Sequence, residues 1–216
     1  TGVSGSGKTT MVLESLVPAL EAAARGEALP SHVEALEADG IERVHLIDAS
    51  PIGANVRSTV ATYSGVLDDL RRAFAKTDAA RARGLKAGDF SYNTGSLRCP
   101  SCDGTGQVSL DVQFLPDVDV PCPACGGSRY AREAFEIKRA VSSECFAGRP
   151  ESEGLRAVSL PELLAMTVDE ARVCVDGMRT AKAKLDVLSD LGLGYLTLGE
   201  ATPALSGGEA QRLKLA

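Results

Sequence analysis

The chain has 216 residues, 44% of them hydrophobic and 4% aromatic, which is material for one small-residue-rich α/β domain or one domain with a sizeable insertion. No run of eighteen apolar residues occurs, so a transmembrane helix is excluded. A net charge of −6 argues against an indiscriminate nucleic-acid binder, and the glycine-rich Thr1 to Thr10 is unlike a basic-then-apolar leader, so a cytoplasmic location is expected.

The first element is the loop Gly2-Val3-Ser4-Gly5-Ser6-Gly7-Lys8-Thr9, a complete G-x-x-x-x-G-K-[ST] followed by Thr10. Its glycines let consecutive amides converge on phosphates, Lys8 brings a point charge to the β- and γ-phosphates, and Thr9 brings a hydroxyl to Mg²⁺. ATP is the expected ligand. No strand precedes the loop, and the last residues stop within the first turns of a helix. Both ends are expected to be cut from something longer.

Lys8 to Arg25 has helical spacing, with Val12, Leu13, Leu16, Val17 and Leu20 on one face, a bend expected at Pro18 and a stop at Gly26. Val44–Ile47 (VHLI) reads as a buried strand that ends at Asp48-Ala49-Ser50-Pro51. His45 then has a structural place, and His32 has no constellation around it. Residues 62–84 read as one or two helices, with Leu67, Leu70 and Phe74 as the apolar stripe and Gly84 as terminator. From Arg71 to Arg98, seven basic residues (Arg71, Arg72, Lys76, Arg81, Arg83, Lys86, Arg98) meet only Asp78 and Asp89. A solvated helical face and a phosphate-binding track account for that excess equally well. Tyr63, Phe90 and Tyr92 lie close to this stretch; packing is the simpler role for them, stacking on bases the alternative.

Residues 89–139 change character. Cysteine, glycine and proline dominate, and two β-like runs appear, at 107–114 and 134–137. Cys99-Pro-Ser-Cys102 and Cys122-Pro-Ala-Cys125 are separated by nineteen residues. Two such knuckles close a tetrahedral four-sulfur site, suited to structural Zn²⁺ with no open position for catalysis. Glycines after each pair permit the tight turns. A redox dithiol and unrelated buried cysteines are the competing readings. Cys145 and Cys174 lack partners at ligand spacing and read as ordinary thiols. Residues 140–157 read as a polar loop, with helices at 159–176 and 178–191. Finally Leu205-Ser206-Gly207-Gly208-Glu209-Ala210-Gln211-Arg212 is a glycine turn with a capped helix start.

Together with the phosphate loop upstream, LSGGEAQR resembles the ABC ATPase signature, which in that superfamily contacts the γ-phosphate held by the partner half. The order of loop, paired knuckles and signature, with IDASPIG, RCPSCDGTG, FLPDVDVPCPACGG and LGLGYLTLG between them, is similar to the UvrA family of excinuclease ATPases, specifically its C-terminal nucleotide-binding half. The resemblance implies an α/β P-loop NTPase of ABC type, as a fragment, with an inserted, mainly helical signature domain and a small β/zinc-ribbon-like module. On that basis residues 1–61 are the first part of the ATP-binding core. Residues 62–199 are the inserted signature domain containing the 89–139 zinc module, and 200–216 are the signature motif with the start of its helix.

The family implies ATP, Mg²⁺ and Zn²⁺ as cofactors. As partners it implies distorted or lesion-bearing double-stranded DNA, UvrB and a second copy of the parent protein, with no membrane. The basic residues from Arg71 to Arg98 would become DNA contacts. A Walker B Asp-Glu and a switch histidine lie beyond Ala216 in this family, so binding without turnover is expected of the chain alone. Three departures stand out: Ala49 where the family has the Q-loop glutamine, no lysine in Asn93–Arg98, and a long stretch between Lys138 and Leu160. They fit a UvrA-like paralogue, a group that includes proteins of self-resistance to DNA-binding drugs. An ABC ATPase of another machine, and an interaction module with a degenerate nucleotide site, are the readings from other classes.

Overall fold

The structure, a computed structural model, describes residues 3, 5–47, 50, 52, 53, 55–110, 118–142, 145 and 157–216. The chain divides into two compact units, Thr1–Asp48 and Ala49–Ala216.

In the first unit α1 (Lys8–Thr10) runs through a π-wound segment, Met11–Leu16, into α2 (Val17–Arg25). Pro18 sits in the first turn of α2. It has no N–H to continue the i→i−4 ladder, and the turn before it widens, with the Val17 amide reaching Val12 O. The bend expected at Pro18 is thus taken up as a wide turn. Gly26 stops the helix in the left-handed region at φ 70°, and the Glu27 amide closes onto Ala22 O at 2.8 Å. Ala19 and Ala22 are buried, while Leu13 and Leu16 of the expected apolar face are exposed. The VHLI strand does not form. Residues 41–47 are irregular, Leu46 is 56% exposed and His45 is exposed too. The described residues of this unit contain no strand, so an extended VHLI would leave its backbone groups without a ladder.

The second unit begins with α3 (Val60–Tyr63), α4 (Val66–Phe74) and α5 (Asp78–Ala82). Leu67, Leu70 and Phe74 are buried as their spacing requires, and Gly84 ends the run at φ 67°. β1 (Gln107–Leu110) pairs antiparallel with β2 (Val118–Pro121), Gln107 opposite Pro121. The rest of the expected 107–114 strand lies outside the described residues. Ala134–Ile137, expected as a strand, is instead α6 (Glu133–Glu136) running into extended Ile137. Ala134 and Ile137 are buried while Glu133 and Glu136 face water, a three-residue spacing that alternation cannot satisfy.

β3 (Lys138–Ala140) pairs antiparallel with β4 (Ala157–Ser159), and most of the 140–157 loop between them lies outside the described residues. The helix expected over 159–176 is two, α7 (Leu160–Leu164) and α8 (Val168–Cys174), because Thr167 starts a new capping box with Glu170. α9 (Arg179–Leu188), a wide turn Ser189–Leu193 that kinks at left-handed Gly192 (φ 72°) and α10 (Gly207–Leu215) complete the unit. Phe74, Phe90, Ile137, Leu160, Leu163, Leu185 and Leu188 share its core.

Cys145 and Cys174 are joined as a disulfide, with Cα atoms 4.8 Å apart, and are not the ordinary thiols expected. Their separation of 29 residues hides a proximity that only the return of the chain through α8 creates. The start of the helical region is also bound to its end. The Val60 and Ala61 amides donate to Glu200 O and Leu198 O, and the Thr202 amide donates to Ser58 O, at 2.9–3.0 Å. Among the described residues no helix is long and apolar enough to cross a membrane.

Candidate metal centre and phosphate-loop motifs

Cys99, Cys102, Cys122 and Cys125 converge, their sulfurs all within 4.8 Å of one another. The pairs Cys99–Cys122 and Cys102–Cys125 are 4.0 and 3.8 Å apart. Four thiolates at zinc-bond length on a tetrahedron stand about 3.8 Å apart, so donor set and spacing both fit Zn²⁺. The knuckles reach this arrangement through backbone. The Cys122 amide donates to Gly106 O, the Cys99 amide to Arg129 O, and the Gly106 amide to Cys102 Sγ at 3.3 Å. Gly104 and Gly106 both lie at φ 78°.

The surroundings divide the sulfurs. Burial pushes the Cys125 thiol up to about 12. At Cys102 burial also raises the pKa, but the Gly106 amide and the Cys99 sulfur outweigh it, and the thiol falls to about 7. The groups titrate together rather than singly. A closed four-sulfur site of this kind ties two chain segments and offers no vacant position for chemistry.

Arg129, Tyr92 and Tyr130 form the floor beneath the knuckles, a role that no motif around them signals. Arg129 is 7% exposed, lies 5.2 Å over the Tyr92 ring and donates to Thr105 O. Tyr92 meets Tyr130 edge-on at 5.9 Å and donates its hydroxyl to Arg57 O; Tyr130 donates to Phe90 O. Phe90 and Tyr92 are fully buried, while Tyr63 is 45% exposed.

Gly2 and Ser4 of the phosphate loop lie outside the described residues. Gly5 and Gly7 hold φ 79° and 78°, and a Cβ at either would meet nothing within 4 Å. Lys8 curls over the loop, donating to Val3 O at 2.7 Å and to Ser6 Oγ. Thr9 and Thr10 are exposed in α1.

The signature residues form a capped helix start. The Ser206 amide donates to Glu209 Oε2 at 2.6 Å and the Glu209 amide to Ser206 Oγ, while Gly207 and Gly208 stay exposed with open space at Cβ. The Tyr195 hydroxyl donates to Glu209 Oε1, and that bond, first among several, holds the Glu209 carboxyl below its ordinary range. Leu205 and Gln211 are half-buried. Lys214 donates to Ser50 O and Oγ at 2.8 and 3.0 Å, tying the signature helix to Ser50, a contact nothing in the motif announces. Asp48, Ala49 and Pro51 themselves lie outside the described residues.

The basic stretch disperses into local pairs. Arg71 pairs with Asp68, Arg72 with Asp69, Arg81 with Asp78, Arg83 with Glu136 and Arg98 with Asp103. Most of these acids lie outside the Arg71–Arg98 window, which is why the local count looked so positive. Lys76 and Lys86 have no ion pair among the described residues.

No family model matches the chain. Known proteins do match. The UvrABC system protein A of Thermus thermophilus and that of Bacillus subtilis are each 44% identical to it over 218 residues, covering 100% of this chain and 21% of theirs. The crystal structure of UvrA2 from Deinococcus radiodurans aligns with TM-score 0.76 at 41% identity, covering 99% of this chain and 24% of that one. The chain belongs to the UvrA family. It spans about a fifth of the length of these curated UvrA relatives. The four-cysteine hairpin and the helices around it are thereby placed within a UvrA-like fold.

Proposed function

We propose that this chain is the segment of a UvrA-type DNA-damage-recognition ATPase that joins one phosphate loop to its own signature motif through an inserted zinc-bearing domain. The observation that carries this reading is the convergence of the four cysteines on a hairpin between those two motifs. Residues 1–61 and 200–216 belong to the ABC core, and 62–199 to the insertion.

Gly2 to Thr10 bind ATP, with Lys8 at the terminal phosphates and Thr9 at Mg²⁺. Lys8, already folded over Val3 O, is positioned to exchange that carbonyl for phosphate oxygens. Leu205, Ser206, Gly207, Gly208, Glu209 and Gln211 present uncovered amides to the nucleotide of a partner half. Cys99, Cys102, Cys122 and Cys125 would hold Zn²⁺, whose contribution is structural. In the parent homodimer, distorted duplex DNA is held mainly through phosphates and sensed by its deformability, and the lesion is passed to UvrB.

Titration with a fluorescent ATP analogue, followed by gel shift on adduct-bearing and intact duplexes, tests the reading. Preference for the adduct supports it, and equal binding to both duplexes overturns it. A second reading is favoured by Ala49 and by the disulfide-anchored stretch after Lys138: a UvrA-like paralogue acting on DNA–drug complexes. Capture of UvrB by the parent protein would rule that reading out.

A further inference from the structure

Away from the cysteines, an open cleft of about 750 Å³ lies between α4, β3 and the start of α9. Four of its lining side chains are cationic and come from separate elements: Arg72 and Lys76 from α4 and the turn after it, Arg139 from β3, and Arg179 from α9. Arg139 and Arg179 lie far outside the charged stretch at 71–98, so only the fold brings the four together.

The cleft's one carboxylate, Asp69, is already engaged by Arg72 and by Lys184 at 2.8 Å. Lys76 and Arg179 have no hydrogen-bond or ion-pair partner among the described residues. Arg139 is held in place by Nη2 on Asp176 O at 2.9 Å and Nη1 on Ala140 O at 3.5 Å, which leaves three of its five N–H donors uncommitted. Gathering four like charges around one cavity is unfavourable in the empty state, and a bound polyanion relieves it. Planar guanidinium forks beside a lysine point charge suit tetrahedral oxyanions, and the volume exceeds that of a single one.

We infer that this cleft is a binding site for the phosphate groups of a polyanion, with Arg72, Lys76, Arg139 and Arg179 as its contacts. The phosphates come from a nucleic-acid backbone or from a free polyphosphate chain; the first source rests on the function proposed above and the second does not.

The test uses the full 216-residue chain carrying K76E/R179E, because both side chains are exposed and neither has a hydrogen-bond or ion-pair partner among the described residues. R132E/K182E makes the same charge change outside the cleft and serves as control. Binding is read with a labelled duplex of about 16 base pairs across a salt series and, separately, with inorganic tripolyphosphate by calorimetry. For the backbone source, K76E/R179E weakens duplex binding at least tenfold and flattens log K against log[salt] by about two, while the control stays within threefold. For the free source, tripolyphosphate affinity falls at least tenfold in K76E/R179E and duplex binding does not. Both anions bound as tightly by K76E/R179E as by the control would overturn the site. A site that survives with no preference for adduct DNA would sink the repair reading alone.

Discussion

Gly104 sits where an added Cβ would lie 1.7 Å from Tyr92 O, at φ 78°. Gly126, in the second knuckle, also has positive φ (59°) but open space around it. The left-handed backbone alone costs a non-glycine residue about 1–2 kcal/mol. Gly126→Ala is therefore expected to lose roughly that much, and Gly104→Ala clearly more, because backbone must also move. Denaturant melts of the two variants side by side, with zinc retention measured on each, check the difference.

Asp69 offers a pH-dependent contact at the same scale. Burial raises its carboxyl, but Lys184 and Arg72 outweigh that and hold it below the ordinary value near 3.8. A depressed carboxylate contributes stability above its unfolded pKa, and that contribution is lost as pH falls through the lower folded value. Asp69→Asn should cost about 1–2 kcal/mol at neutral pH, discounted because both partners remain partly in water, and almost nothing near pH 2. Urea melts at the two pH values decide it; an equal loss at both would show that the pair contributes nothing.

The element scale separates what was legible from spacing and what was not. Local codes were readable: the stripe of α4, the stop at Gly26 and the Ser206 cap depend on neighbours three or four residues away. Long-range events were not. VHLI looks like a strand, but a strand exists only by pairing, and the Cys145–Cys174 bond depends on where α8 is carried. The four-cysteine cluster was readable despite its nineteen-residue gap, because each knuckle is itself a local motif.

The α10 start yields a prediction of its own. Since the Tyr195 bond depresses Glu209, the cap survives to lower pH than an ordinary glutamate would allow. Tyr195→Phe should move the acid fraying of this helix to higher pH, which hydrogen exchange at Glu209 and Ala210 measures. An unmoved midpoint would remove Tyr195 from the account. The disulfide predicts in a different way. Closing a loop across 29 residues removes about 3.5 kcal/mol of unfolded-state entropy in the chain-entropy model. Reduction should lower the melting temperature by several degrees, and peptide mapping under non-reducing conditions should recover the linked pair.

At the scale of the whole molecule, the cysteine cluster is separate from the main helical core: Cys99, Cys102 and Cys122 group with Val108, whereas Tyr92, Leu97 and Tyr130 belong to the larger core. Metal removal is therefore expected to loosen the β1–β2 hairpin and leave the helices standing. Chelator should abolish amide protection in Gln107–Leu110 while far-ultraviolet dichroism changes little; collapse of the helical signal would mean that the two cores fold as one.

The backbone bonds that join Ser58–Ala61 to Leu198–Thr202 hold the two ends of the 62–199 stretch side by side. Opposed residues in an antiparallel pair stand about 5 Å apart, a distance a two-residue turn spans. The stretch between them thus forms a cassette: it could be cut out and the stumps sealed with a short hairpin, or transplanted whole into another host at any such paired neck.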